Sequence, residues 1–252
     1  MKLSFLLSWR HFALLILVSG LPLIAADKAE LKKPSSFASA QEVVAQIEIF
    51  VKQIETDLGG ESEYGDEQKG RVVKDASTLV VLAQLLGNHD EDHPLKKAAA
   101  ALVTASRKLA DDADEAATAK QALAAVKEAL KSTAGGTVAK EPVAELAQLM
   151  KQVPIVNNKL RSGVTGRRFD RTIDQNAGYA TTLAAIAEAS QADTAYCSSK
   201  EEEGTWAKIC LEMRDAAAEV RAALRSKDQA AAKTGLEKLV KTCDACHHVF
   251  RD

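Results

Sequence analysis

The sequence has few of the residues that build sheets or interrupt helices. Aromatic residues make up 4% of the 252 residues, and there are 5 prolines. Alternating patterns of β-branched residues are almost absent, whereas alanine-rich stretches recur along the chain. Such a composition favours helices throughout and argues against a β-rich fold.

The chain also lacks a strong excess of either charge. It has 33 Lys and Arg against 35 Asp and Glu, a formal net charge of −2. That mild balance argues against nucleic acid as a partner. No Ser-His-Asp set, pair of carboxylates or phosphate-binding loop stands out, so hydrolytic chemistry has no support and we do not expect an enzyme.

Beyond the N-terminal segment, the sequence lacks an apolar run that could cross a membrane. Residues 1–26 are predicted to be a secretory signal peptide. Lys2 and Arg10 form a basic region before an apolar core, and Ala25-Ala26 provides a small-residue cleavage site. The core is too short and interrupted to favour a membrane span, although an uncleaved anchor is the alternative. We therefore expect an exported, periplasmic protein without a stable membrane span.

Only 4 cysteines are present, and two of them belong to the segment Cys243-Asp244-Ala245-Cys246-His247. Cys-x-x-Cys-His is the attachment signature of a c-type haem. Its two thiols form thioethers with the porphyrin vinyl groups, and the imidazole binds the iron from one side. We predict one covalent haem c, attached at Cys243 and Cys246 with His247 as the proximal iron ligand. Export agrees with this prediction, since c-type haem is attached outside the bacterial cytoplasmic membrane.

The motif lies in a helical pattern, which would turn both sulfurs and the imidazole towards one flat ligand. Residues on this face recur at intervals of three and four: Leu236, Leu239, Val240, Cys243, Cys246, His247 and Phe250. Two other interpretations have less support. A thioredoxin-like pair follows a strand, and no strand pattern precedes the motif. A structural zinc site needs four ligands, and a second ligand pair is missing.

The chain reads as eight helical patterns in two sets of four, divided near Gly135-Gly136. The first helix is predicted to begin at the capping box that starts with Ser39, and the last helix carries the haem motif. We therefore predict an all-α fold of two tandem antiparallel four-helix bundles, residues 27–136 and residues 137–252.

Short matching segments between the two sets favour an internal duplication. When the two sets are aligned with an offset of 110 positions, Thr133 aligns with Cys243 and Gly136 aligns with Cys246. The first bundle therefore has no thiols to attach a haem, and one haem is predicted for the whole chain.

The second unit resembles the class II cytochromes c, the cytochrome c′ family. The likeness covers residues 139–252 in organisation and is specific at Cys243, Cys246, His247, Phe250 and Arg251. It implies an antiparallel four-helix bundle with the haem between the helices and His247 as the proximal ligand. It also implies that the unit's first helix faces the other side of the iron. Arg251 matches the family's basic residue near a haem propionate; a favourable charge at a helix C-terminus is the alternative.

The sequence departs from this family in two respects. An ordinary cytochrome c′ has no upstream bundle, and Pro154 is expected to break the helix that covers the distal side. Met150 on that helix is the candidate sixth ligand, because thioether ligation raises the potential and favours electron transfer. The alternatives are an open site with Leu149 facing the iron, or Met150 as a core-filling residue. Met213 is a weaker candidate for the same role.

Three further features carry weaker predictions. Cys197 and Cys210 suggest a disulfide in an exported protein, although Cys210 on an apolar face also fits an inert buried thiol. His89 and His93 flank an acidic segment that fits a solvated loop as well as a metal site. The basic loop at 161–171 fits a solvated surface that could steer an acidic redox partner.

These features together predict an exported monohaem cytochrome that passes single electrons to an unidentified redox partner protein. Two other functions stay open: a five-coordinate haem module that captures NO or CO, and a structural or partner-docking role for the first bundle. The sequence does not decide between a monomer and a homodimer.

Overall fold

The computed structural model describes residues 32–60, 64–141 and 143–251. Every regular element in these ranges is helical, which confirms the all-α prediction. The predicted signal peptide, residues 1–26, lies outside the described residues. Among the helices that the model describes, none is long and apolar enough to cross a membrane.

The part of the chain that the structure describes forms eight α-helices. They are α1 Ala40–Gly59, α2 Asp66–Gly87, α3 Ala99–Asp111, α4 Ala116–Ala129, α5 Leu146–Thr165, α6 Ile173–Ser190, α7 Lys200–Arg225 and α8 Gln229–Phe250. Short 3₁₀ segments lie at Pro34–Ser36, Pro94–Ala98 and Phe169–Arg171.

Side-chain caps fix the start of several helices. The predicted capping box is confirmed: the Glu42 backbone N–H donates to Ser39 Oγ, and the Ser39 backbone N–H donates to the Glu42 carboxylate. At the start of α8, the Asp228 carboxylate accepts from the Ala231 backbone N–H at 2.9 Å. Such caps satisfy backbone donors that have no partner within the helix.

The helix that was expected to break at Pro154 is continuous. α5 runs from Leu146 to Thr165 with Pro154 inside it, so the predicted interruption is wrong. Proline removes the hydrogen bond to the Met150 carbonyl and crowds that carbonyl. Buried side chains before and after the proline pack into one core and offset this cost: Leu149, Val153, Val156, Leu160 and Val164.

Each set of four consecutive helices closes on itself. In the first helix group (α1–α4), each helix packs on the next and α4 packs back on α1; the second helix group (α5–α8) repeats this arrangement. The two groups meet where α1 packs on α6 and α2 packs on both α5 and α6. Residues Lys32–Asp252 form one compact unit, and one apolar core draws side chains from both groups.

The helices α2 and α6 are the central elements of this core. Every residue from Asp75 to Leu86 in α2 is buried, as is every residue from Ala180 to Ala187 in α6. A helix that is covered all round normally lies inside a protein, so each of the two needs helices from the other group to cover it. Gly178 allows the close approach of α1, because a Cβ there would lie 2.1 Å from Gln46 Nε2.

Polar contacts also join the two helix groups. Gln46 on α1 accepts a hydrogen bond from Thr182 Oγ1 on α6 at 3.1 Å. Glu42 accepts from the guanidinium groups of Arg221 and Arg225 on α7. Burial opposes ionisation of Glu42, but its hydrogen bonds, foremost that from Arg225, hold its pKa below the ordinary value. The junction therefore combines apolar packing with ionic contacts.

A buried acid–amide pair lies at the same junction. Gln152 Nε2 on α5 donates to Asp75 Oδ1 on α2 at 3.0 Å. The Gln152 Oε1 atom is buried and has no partner among the described residues. A protonated Asp75 carboxyl can donate to that oxygen, so that the acid and the amide satisfy each other. Burial raises the pKa of Asp75 to about 7.

We expect Asp75→Asn to stabilise the protein at alkaline pH. The folded-state pKa of Asp75 is raised from 3.8 to about 7. The folded state therefore holds this proton more tightly than the unfolded state, and the free energy of unfolding falls as pH rises between those values. Asparagine can make both hydrogen bonds without a charge. At pH 8 the variant should be more stable by on the order of 2 kcal/mol, with little difference near pH 4.

Urea unfolding at several pH values measures this effect. Asp170→Asn is the matched control, because Asp170 is exposed in the connection between α5 and α6. An Asp75→Asn protein whose stability changes with pH as steeply as that of the native protein would contradict the assignment.

Candidate functional site

A largely apolar cavity of about 490 Å³ lies among all four helices of the second helix group. This volume is within the range of about 300–1,000 Å³ found for ligand and cofactor sites. α8 contributes Cys243, Cys246 and His247 to the wall. α5, α6 and α7 supply mainly apolar side chains: Leu146, Met150, Val153, Ala187, Trp206, Ile209 and Met213.

The rotation of α8 places the Cys-x-x-Cys-His residues in this wall. Ala232, Leu236 and Leu239 on the first half of the helix are buried in the main core. Residues three or four further along fall on the same side of a helix, so the buried stripe continues into Cys243 and Cys246. The Cys243 Sγ also contacts the Leu239 carbonyl oxygen at 3.6 Å.

All five residues that were predicted to bind the haem or its iron line this one cavity: Cys243, Cys246, His247, Arg251 and Met150. Both cysteines and Met150 are half-buried, whereas His247 and Arg251 are exposed at its rim. Met150 reaches the site from α5 and the other four residues from the end of α8. The fold thus brings together residues that are far apart in sequence.

The register of α5 against α8 sets which α5 residues face the motif. The apolar cluster of Leu146, Trp206 and Cys210 also contacts Met150, Cys246 and Phe250. Further along α5, Arg161 and Thr165 share a groove with the first half of α8. The two helices are therefore antiparallel, and Met150 lies at the level of Cys246.

The two neighbouring candidates for the distal position point in different directions. Leu149 is 2% exposed and belongs to the main core, and it is not part of the cavity wall. Met150 lines the cavity, and Met213 lines it from α7. Of the two adjacent residues on α5, Met150 is the one that can reach a ligand in the cavity.

An aromatic pair closes one side of the cavity. The rings of Trp206 on α7 and Phe250 on α8 meet edge to face, with centroids 5.1 Å apart and an interplanar angle of 89°. Trp206 Nε1 donates to the Ser190 carbonyl oxygen at 2.8 Å, which fixes the indole ring. This geometry is favourable for aromatic rings and gives the cavity a rigid apolar wall.

The pKa of the two motif thiols indicates whether the motif could be a redox-active thiol pair. Burial raises the pKa of Cys243 and of Cys246, so both remain protonated thiols at neutral pH. Redox-active thiol pairs have a lowered pKa instead, because the thiolate is the reacting species. The surroundings of the motif therefore do not favour a thioredoxin-like pair.

The other two cysteines lie near Cys246, in the apolar cluster around Trp206. Cys197 and Cys210 belong to one apolar cluster with Trp206. All four cysteines of the chain are free thiols in the structure, and the disulfide between these two stays a prediction. Burial raises the pKa of Cys210 to about 12, which keeps this thiol protonated.

The two histidines of the acidic segment have structural contacts away from the cavity. His89 is 2% exposed, so the solvated loop expected from the sequence is wrong at this residue. Its Nε2 lies 3.1 Å from the Ala38 carbonyl oxygen, and its Nδ1 accepts from the Glu91 backbone N–H. His93 Nδ1 accepts from the Leu95 backbone N–H. No group of three or more metal-ligating side chains is arranged around a common point in the described ranges.

Asn157 and Tyr196 are polar residues of the cavity wall that the sequence analysis did not identify. Asn157 follows Met150 by seven positions, which places both residues on one helix face. This spacing is the sequence signal from which Asn157 could have been predicted to face the same site as Met150. Its Oδ1 atom is buried and has no partner among the residues that the structure describes. Tyr196 lies in the connection between α6 and α7 and is 55% exposed; a loop gives no periodic signal of this kind.

The donor set of the cavity fits a covalently attached haem. Two thiols and an imidazole lie on one helix face, a thioether lines the cavity from α5, and the lining is mostly apolar. Arg251 provides a cation at the rim. Comparison of the chain with protein-family models, with curated proteins and with solved structures finds no match.

Proposed function

We propose that the protein is an exported monohaem c-type cytochrome that transfers single electrons to a redox partner protein. One observation carries the proposal: the residues of Cys-x-x-Cys-His on α8 line an apolar cavity that Met150 lines from α5. A bound haem supplies one-electron iron chemistry, and the protein sets its potential through the axial ligands and the burial of the haem. Among the residues that the structure describes, no other group of side chains supports a reaction as strongly as the residues of this cavity.

The residues of the cavity have distinct roles in this proposal. Cys243 and Cys246 hold the haem covalently, and His247 binds the iron on the side of α8. Trp206 and Phe250 limit the access of water, which matters because solvent exposure changes the reduction potential. These roles need the thiols and the imidazole to point to one side of α8, as their helical spacing allows.

We also propose that the two helix groups are tandem four-helix bundles, residues 27–136 and 137–252, of which only the second binds haem. The positions that match the two cysteines at an offset of 110 are Thr133 and Gly136. Both lie beyond the end of α4 in an irregular segment, where Gly136 has a φ of +152°. The first bundle would then serve as a scaffold that covers α5 and α6.

Met150 is the proposed sixth ligand, and its substitution gives a specific prediction. The ferric haem-loaded protein should have a six-coordinate, low-spin spectrum. Met150→Ala should convert this spectrum to high-spin and lower the reduction potential, because a thioether ligand raises it. Optical spectroscopy and a redox titration measure both effects. Met213→Ala is the matched control, since Met213 lines the same cavity from α7 and should leave the spectrum unchanged.

A spectrum that stays high-spin in the native protein and in both variants would contradict ligation by methionine. That outcome would favour the second candidate function, a five-coordinate haem that captures NO or CO. The observation in favour of this candidate is that Leu146, Val153 and Asn157 also line the α5 wall. Binding of CO to the reduced native protein, without displacement of a ligand, would support it.

A further inference from the structure

A groove with a positively charged rim lies next to the cavity on the outer surface of the second helix group. It has a volume of about 480 Å³ and runs between the end of α5 and the first half of α8. We call it the α5–α8 groove. Its residues are Arg161 and Thr165 from α5 and Lys233, Leu236, Glu237, Val240 and Lys241 from α8.

The groove is lined by three cations and one carboxylate, Glu237, so its lining has a net positive charge. Arg161, Lys233 and Lys241 are exposed and form no ion pair with any residue that the structure describes. By contrast, Lys238 on the other side of α8 pairs with Glu219 at 2.6 Å. The groove therefore presents free positive charge on a chain whose net charge is −2.

Further cations lie on α5 and in the wall of the cavity. The segment that forms α5 has three cations and no Asp or Glu. Gln229 at the start of α8 donates to the Val164 carbonyl oxygen in the last turn of α5 at 2.8 Å, and Arg167 and Arg168 follow that turn in the sequence. Towards the cavity, Lys151 and Arg251 belong to the wall, and no carboxylate does so among the described residues.

The groove lies within one helical turn of the proposed haem attachment site. Val240 in the groove and Cys243 in the cavity are three residues apart on α8, a rise of about 4.5 Å along the helix axis. A protein that sits on the groove is therefore close to any group bound at Cys243. Leu236 and Val240 give the groove an apolar floor between the charged side chains.

We propose that the α5–α8 groove is the docking site of an acidic protein partner. Carboxylates on the partner would pair with Arg161, Lys233 and Lys241, while the floor accepts an apolar side chain. Interfaces commonly combine such an apolar centre with a charged rim, and complementary charge steers association. The identification of the partner as an electron carrier rests on the proposed function, but docking at this groove does not.

The test compares two charge-reversal variants of the haem-loaded full chain. The groove variant is Arg161→Glu, Lys233→Glu and Lys241→Glu. The control variant is Lys52→Glu, Lys97→Glu and Lys120→Glu, which reverses exposed cations on α1, on the 3₁₀ segment before α3 and on α4. Both changes alter the net charge equally, so they separate a local docking site from the overall charge of the protein.

The probe is an acidic [2Fe–2S] ferredoxin, and its binding is measured by calorimetry at low ionic strength. We expect the groove variant to bind it about tenfold more weakly or worse than the native chain. The control variant should stay within about twofold, and added salt should weaken the native complex. Equal weakening in the two variants would overturn the proposal. Tighter binding of single-stranded DNA or of anionic lipid vesicles than of ferredoxin would overturn it as well.

Electron transfer from the reduced ferredoxin is followed separately by stopped-flow spectroscopy. The rate at subsaturating ferredoxin should fall by a similar factor in the groove variant. A complex that forms at the groove but passes no electrons would contradict the proposed function and leave the docking site in place. Electron transfer that is equally fast in the native chain and the groove variant would contradict the docking site.

Discussion

Cys243→Ala with Cys246→Ala is expected to abolish covalent attachment of haem. The two residues form the chain's one Cys-x-x-Cys sequence, and both thiols line the cavity beside His247. Each thioether requires one of these sulfurs, so the double variant has no attachment point. Intact mass spectrometry and haem staining after denaturing electrophoresis measure the loss, in protein produced together with the c-type haem maturation machinery.

Cys197→Ala with Cys210→Ala is the matched control for this experiment. It removes the same number of thiols, from the apolar cluster that Cys246 also contacts. Covalent haem should persist in this variant, because neither thiol belongs to the attachment motif. Haem that survives denaturation in the Cys243 and Cys246 variant, or that is lost equally from both variants, would disagree with the assignment.

The second large effect is expected from removing the first helix group. We expect residues 137–252 alone not to fold cooperatively, because α6 would lose α1 and α5 would lose α2. The truncation exposes apolar side chains of α6 and breaks the Gln46–Thr182 and Asp75–Gln152 contacts. Each large side chain that loses burial costs roughly 1.5–3 kcal/mol, and a few such losses exceed a typical stability of about 5–15 kcal/mol.

Circular dichroism during urea unfolding tests this prediction. Residues 32–252 are the control, since they contain all the helices that the structure describes. The control should show one cooperative transition, and the shorter fragment should show little helix and no clear transition. A fragment 137–252 that unfolds at the same urea concentration as the control would mean that the two groups are independent domains.

Local sequence signals were sufficient to predict most of the helices. The capping box at Ser39 and the cap at Asp228 act within a few residues, so the starts of α1 and α8 could be read directly. Pro154 was misjudged because its effect depends on distant contacts. Proline destabilises an isolated helix, but the side chains around it on α5 are buried against other helices and keep α5 continuous.

The sequence was less informative about how the two helix groups meet. Around Leu79 and Leu183, α2 and α6 are buried on nearly every side. A dense apolar run shows that a helix is covered but does not identify what covers it. The buried pair of Asp75 and Gln152 lies 77 positions apart, and no periodic pattern relates such residues.

The candidate site shows the same division between local and tertiary information. Cys243, Cys246 and His247 could be identified from five adjacent residues, and helical spacing placed them on one face. The choice of Met150 over Leu149 for the cavity needed the rotation of α5, which is set by its packing on α2, α6 and α8. The edge-to-face contact of Trp206 and Phe250 joins two helices and has no signal in the sequence.

We expect this chain to carry one covalent haem, and the mass of the mature protein tests that expectation. The native chain is produced with the c-type haem maturation machinery, and its intact mass is compared with that of the polypeptide after denaturation. The account predicts a mass increase of one haem, with reduced and oxidised spectra of a c-type cytochrome. A denatured protein with the mass of the polypeptide alone would contradict it.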